Sequence, residues 1–68
     1  MNRRLPKVGD IWRDDYGMFL VTKEYELNDW DARNGYVCQI DVLDLGTGVL
    51  QDIWTISESM LCDLIFIA

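Results

Sequence analysis

Turn signals recur so often along this chain that the stretches between them leave little room for a long helix. Gly9-Asp10, Asp14-Asp15-Tyr16-Gly17, Asn34-Gly35 and Leu45-Gly46-Thr47-Gly48 each read as a reversal. Aspartate hydrogen-bonds its own backbone, and glycine accepts positive φ at no steric cost. Between these points lie runs of β-branched, aromatic and aliphatic residues, which suit a pleated surface.

Pro6 blocks helix continuation, and residues 8–13 are predicted as a first strand. Residues 18–25 form a second strand whose inward parity is open. Met18 and Leu20 share one face, Phe19, Val21 and Tyr25 the other, and a bend or bulge would switch the inward set. Residues 28–35 read as a mobile loop with one helical turn, capped by Asn28 and ended by Gly35. Residues 36–45 are the clearest strand, with Tyr36, Cys38, Ile40 and Val42 on one side and Gln39 and Asp41 on the other. A fourth strand, 49–54, returns from the glycine-rich hairpin. Thr55-Ile56-Ser57-Glu58 has capping-box spacing, so a single helical turn is expected before a closing strand over 61–67.

Half of the 68 residues are apolar and 26% are charged, a balance that folds as one domain rather than staying disordered. A domain near this size buries only about 60% of the surface its unfolded chain exposes. Some apolar residues therefore face outward, and the candidates are one parity of residues 18–21, the outer residues of the last strand, and Trp30. Self-association or docking onto a larger body would cover them.

The net charge is −6, but Arg3, Arg4, Lys7 and Arg13 crowd the front while no Lys or Arg follows Arg33. Residues 1–7 read as a partly flexible basic arm on an anionic body. Direct binding of nucleic acid is disfavoured, because phosphate neutralisation needs clustered cations. No apolar run is long enough for a bilayer and the opening residues do not resemble a signal peptide. The expectation is therefore a cytoplasmic protein with no membrane partner.

The pattern of Lys7-Val8-Gly9-Asp10-Ile11-Trp12 resembles the opening strand of a small SH3-like barrel. Residues 44–48 resemble its distal hairpin, residues 55–60 the turn before its last strand, and residues 61–67 that strand. The resemblance covers almost the whole chain. It implies an all-β, five-stranded SH3-like barrel with one short helical turn before the last strand, of the kind found among small open reading frames of bacteria and their phages. In such a setting, in the bacterial or infected host cell, function is usually borrowed from a partner. The chain lacks the Ala-Leu-Tyr-Asp-Tyr type of segment and the paired proline-binding aromatics of signalling SH3 domains, so their ligands do not carry over.

Two places have the residue types of a contact site. Asp14 and Asp15 beside Tyr16 suit a pocket for a basic peptide or an alkylated lysine, against the plainer reading of a solvated turn. Trp30, between Asp29 and Asp31, reads either as an interface anchor or as a lid folded over the barrel end. Trp12 and Trp54 lie in predicted strands and read as core or rim packing. Asp29, Asp31, Asp41, Asp44, Asp52, Glu58 and Asp63 also suggest a phosphate track, as in an acidic nucleic-acid mimic that inhibits a host nucleic-acid enzyme.

Histidine is absent, no Ser or Cys is paired with a recognisable base, and Gly46-Thr47-Gly48 lacks the lysine of a phosphate loop. No catalytic, cofactor-binding or metal-binding residue is assigned. Cys38 and Cys62 read as thiols acting as small core hydrophobes, with one internal bridge or a carboxylate-completed metal site as alternatives. The functional expectation is a non-enzymatic protein-binding or assembly module, acting on another protein or as a homo-oligomer.

Overall fold

Short connections between consecutive strands dictate antiparallel neighbours, and the fold follows that rule throughout. A computed structural model describes residues 4–68. It contains β1 (Ile11–Asp14), β2 (Gly17–Tyr25), α1 (Asp29–Arg33), β3 (Tyr36–Asp44), β4 (Leu50–Ser57), α2 (Glu58–Cys62) and β5 (Ile65–Phe66). The strands form one antiparallel sheet in the order β4-β3-β2-β1-β5. The all-β expectation agrees with this architecture. The sheet is open, with β4 and β5 as its two edges.

Local sequence explains most of the boundaries. The Asn28 side chain accepts a 2.7 Å hydrogen bond from the Asp31 amide and caps α1 as expected. The expected capping box does not form, because Thr55 belongs to β4, where its hydroxyl accepts from Gln39 Nε2 on β3. Ser57 caps α2 instead, accepting from the Met60 amide. The closing strand is correspondingly shorter than residues 61–67, since 58–62 are helical and only Ile65–Phe66 pair with β1. The first strand starts at Ile11, because Val8 and Gly9 are used in a turn.

Trp12, Phe19, Val21, Ile40, Val42, Ile56 and Leu61 form the core. All but Leu61 project from one face of the sheet, and α2 lays Leu61 and Met60 over that face. Phe19 and Val21 therefore define the inward parity of β2. A bulge between Val21 and Lys23 then shifts the register, so Lys23 pairs with Asp41 and Tyr25 with Gln39 on the outer face. Two further irregularities, at Tyr36/Cys38 and Ile40/Val42 in the β3–β4 ladder, add bend and twist.

Among the described residues, Asp10 is the one charged side chain in the core, 6% exposed. Its carboxylate accepts from Arg4 Nη2 at 2.9 Å, the Lys7 amide at 3.0 Å and Trp12 Nε1 at 3.3 Å. Arg4 also stacks 4.1 Å over the Phe66 ring, and Phe66 meets Trp12 edge to face. Arg4 thus lies against the sheet; the rest of the expected arm before it, residues 1–3, lies outside the described residues.

The Arg4 hydrogen bond holds the Asp10 carboxyl below its ordinary value, outweighing the opposing effect of burial, with the Lys7 and Trp12 bonds adding to it. A depressed folded pKa gives stability that is fully present above the unfolded value and is lost as pH falls through the folded one. Asp10→Ala, which strands the Trp12 and Lys7 donors, should cost about 2–3 kcal/mol in urea unfolding at neutral pH. Asp10→Asn should show a shallower loss of stability than the parent below about pH 4. A change under about 0.5 kcal/mol on Asp10→Ala would show that the cluster does not hold the fold.

Ile53, at the Ile40/Val42 irregularity, has φ of +51°. A β-branched residue is strained there. Its amide donates to Asp41 Oδ1 at 2.8 Å, while Asp41 Oδ2 accepts from the Tyr25 hydroxyl at 2.9 Å. One carboxylate thereby ties β2, β3 and β4 across the bulged region. Ile53→Gly should raise thermal stability by about 0.5–1 kcal/mol through relief of that strain. A loss of stability instead would mean that the isoleucine side chain contributes packing.

Candidate functional site

The Asp14-to-Gly17 turn is built by its own first residue. Asp14 Oδ1 accepts from the Tyr16 amide at 2.8 Å and the Gly17 amide at 3.0 Å, and Gly17 adopts a φ of +144° that favours glycine. The expected solvated turn is therefore present. Its tip is also more than a turn, since Tyr16 stands 96% exposed beside two open depressions.

The first depression, about 310 Å³, lies over the inner face of the sheet. Phe19 and Trp54 form its aromatic floor, with ring centroids 5.1 Å apart at 74°, and Asp14 and Asp44 stand at its margin. The second, about 180 Å³, runs from Tyr16 and Trp54 to Met60 and Leu64, with Asp14, Asp15 and Asp63 around it. Tyr16 and Trp54 border both. Arg13 joins Asp15 and Asp63 around a third depression on the β5 side and offsets part of their charge.

Two elements bring these groups together. The Ile40–Trp54 pairing puts Trp54 on the core face of an edge strand, so one side of its ring stays open. Helix α2 then carries the chain back toward the β1–β2 turn, delivering Met60 and the residues after it. Asp63 is the C-cap of α2, which has no basic residue in its last turn. A carboxylate at that end of a helix is electrostatically disfavoured, and a nearby cation would relieve it.

The six contact candidates do not form one site. Asp14, Asp15 and Tyr16 precede β2, whereas Asp29, Trp30 and Asp31 follow it, so the nine-residue strand separates the two groups. Trp30 is 67% exposed and does not fold down as a lid. Its carbonyl accepts from Asn34 Nδ2 at 2.7 Å, and Asp29 and Asp31 occupy the first turn of α1, where negative charge is favourable.

Trp54, Met60 and Leu64 escaped sequence reasoning as site residues, and Asp63 reads there only as part of the acidic track. Trp54 read as packing, which half describes it, since it packs on Phe19 and also borders the opening. The other three fell within the turn and strand expected at the close of the chain. Their convergence with Tyr16 depends on the path of α2.

Both cysteines are free thiols. Cys38 is half-buried against the core as expected, and burial, helped by the Glu24 charge, pushes its thiol up to about 11. Cys62 is exposed on α2, a correction to its expected place in the core: Leu61 occupies the inward position of this turn. Among the described residues, no three Cys, Asp or Glu side chains come together as a metal-binding group, and no helix is long and apolar enough to cross a membrane. The Asp41 hydrogen bond and burial raise the Tyr25 hydroxyl above its ordinary value.

Comparison with protein-family models, with curated proteins and with solved structures gave no match to this chain.

The contrast between the thiols is directly measurable. At pH 8 a disulfide-exchange reagent should titrate one thiol quickly, and Cys62→Ser should abolish that phase. Cys38 should react only on unfolding. Two equally fast thiols in the native protein would contradict the burial described for Cys38.

Proposed function

We propose that this chain is a non-enzymatic protein-binding module that takes a cationic segment of another protein against the turn at Tyr16. One observation carries the reading: Tyr16 and Trp54 border the same two depressions, and Asp14, Asp15, Asp44 and Asp63 surround them. A Lys or Arg stem gains apolar contact from Trp54, Met60 and Leu64. Its charged head gains the aromatic faces and the carboxylates together.

The same proposal reads the fold as the SH3-like barrel plan left open between β4 and β5. The four-strand meander, the helical link and the return of β5 beside β1 support it.

An acidic nucleic-acid mimic would need its carboxylates arranged as a track. Asp29 and Asp31 lie at one end of β2 and Asp44 pairs near the other, opposite Phe19. Asp44 Oδ1 is occupied by the Gly46 and Thr47 amides, and both Asp41 oxygens accept hydrogen bonds. These acids shape turns and bulges, which favours the module over the mimic.

The test is fluorescence anisotropy with a labelled Lys- and Arg-rich peptide library. Saturable binding should weaken roughly fivefold to tenfold for Tyr16→Ala, the cost of losing an aromatic–cation contact of about 1 kcal/mol or more. It should also weaken for Asp15→Asn combined with Asp63→Asn. All three residues are exposed, so the fold should be retained. Absence of saturable binding by the parent, or binding indifferent to these changes, would remove the proposal.

A further inference from the structure

The face of the sheet turned away from the core is itself apolar over half its extent. Cross-strand register places Ile11 opposite Leu20, Leu20 opposite Leu43, and Leu43 opposite Leu50. The Ile67 amide donates to the Ile11 carbonyl, extending the row to the residue that follows β5. Phe19, Val21 and Val42 alternate with these residues and point into the core, so the aliphatic row stands on the opposite face. Met18 and Leu45, joined by a backbone hydrogen bond, continue the patch toward the hairpin, with Arg13 as its charged member.

Helix α2 packs on the core face and leaves this side uncovered. Leu50 is 63% exposed, Ile67 47% and Met18 45%. Five strands about 4.8 Å apart make the row about 19 Å wide; Ile11, Leu20 and Leu43 at its centre are partly exposed, and Leu50, Met18, Leu45, Ile65 and Ile67 around them are exposed. A polar margin completes one side of a small specific interface, roughly 800 Å² per partner. Beyond the bulge the outer face changes to Lys23, Tyr25, Gln39 and Asp41, which supplies such a margin.

We infer that this outer face is a dimerisation surface whose occupant is a second copy of the chain, the two sheets packing back to back. The width and composition of the row fit a second copy: two chains of −6 repel overall, but the aliphatic row itself contains no Asp or Glu. It lets two such molecules meet without opposing carboxylates. Aliphatic rows from two twisted sheets also interdigitate about 10 Å apart in an aligned sandwich, so the surface complements itself under two-fold symmetry.

Sedimentation equilibrium of the full chain at concentrations up to about 500 μM reads the outcome, with a mass twice the 7.9 kDa chain expected. Leu50→Lys and Leu20→Lys should each weaken dimerisation at least tenfold, even though added lysine lowers the mutual repulsion. Circular dichroism should confirm that both variants fold. A parent that stays at monomer mass overturns the inference, as does a dimer unaffected by either change. A dimer broken by Leu50→Lys but indifferent to Leu20→Lys also overturns it, because the contact would then be the β4 edge. Tyr16→Ala should leave the dimer mass unchanged, so failure of peptide binding and failure of dimerisation are read separately.

Discussion

A carboxylate nearly closed off from water holds the leading segment, the first strand and the return strand at one point. Burying the charge of Asp10 is costly unless each oxygen finds donors, and Arg4, Lys7 and Trp12 provide them. The consequence reaches β5, which pairs with β1 over only Trp12–Phe66 and Arg13–Ile65 in the ladder. So short a strand needs side-chain support, and Phe66 receives it from the Trp12 ring edge and the Arg4 guanidinium. Without Asp10, Arg4 loses the partner that holds it over Phe66. The core cluster and the position of the edge strand are therefore one problem, solved by one residue.

The second constraint is the change of face along β2. At a strict period of two, Tyr25 would follow Phe19 and Val21 inward and Lys23 would enter the core. The bulge prevents both, sending Lys23 and Tyr25 outward, where the Lys23 ammonium lies 4.7 Å from the Tyr25 ring centroid. Asp41 stabilises the region from the neighbouring strand by accepting from Tyr25 and from the strained Ile53 amide. The outer face is thereby divided into a polar half and an aliphatic half, and the aliphatic half ends where the register shifts.

Local chemistry was legible where it was decisive alone. Asn28 and Gly35 bracket α1 as read, because a cap and a terminating glycine act within a few residues. Of the expected set Tyr36, Cys38, Ile40 and Val42, the last three pack in or against the core as alternation implies, whereas Tyr36 lies beyond the Tyr36/Cys38 register shift and does not. The end of the chain was not legible in the same way. Thr55 and Ser57 both offer a cap hydroxyl, and only pairing of Thr55 with Gln39 decides between them. Leu61 and Cys62 fit a short strand and a helical turn equally well until the core takes Leu61 from the helix. The residues converging on Tyr16 and the five-strand aliphatic row share this property: both depend on register and connection path, which no single segment specifies. Apolar surplus predicted that something would face outward, including one parity of 18–21 and part of the last strand. It did not predict that these residues would align.

The two proposed surfaces lie on opposite sides of one sheet, and that placement bears on how they would act together. The depression floored by Phe19 and Trp54 opens on the core side, whereas the row through Leu20 and Leu43 faces away. Two chains joined through their outer rows would leave both Tyr16 turns open and directed away from each other. A single exposed cation–aromatic contact is worth only about 1 kcal/mol, too little for a stable complex through one shallow slot. Joining two slots makes the second binding event intramolecular, and avidity then exceeds the single-site affinity wherever a partner presents two cationic segments at the right spacing. On the two proposals together, the apolar face that a domain this small cannot bury alone would be the means by which a weak site gains strength.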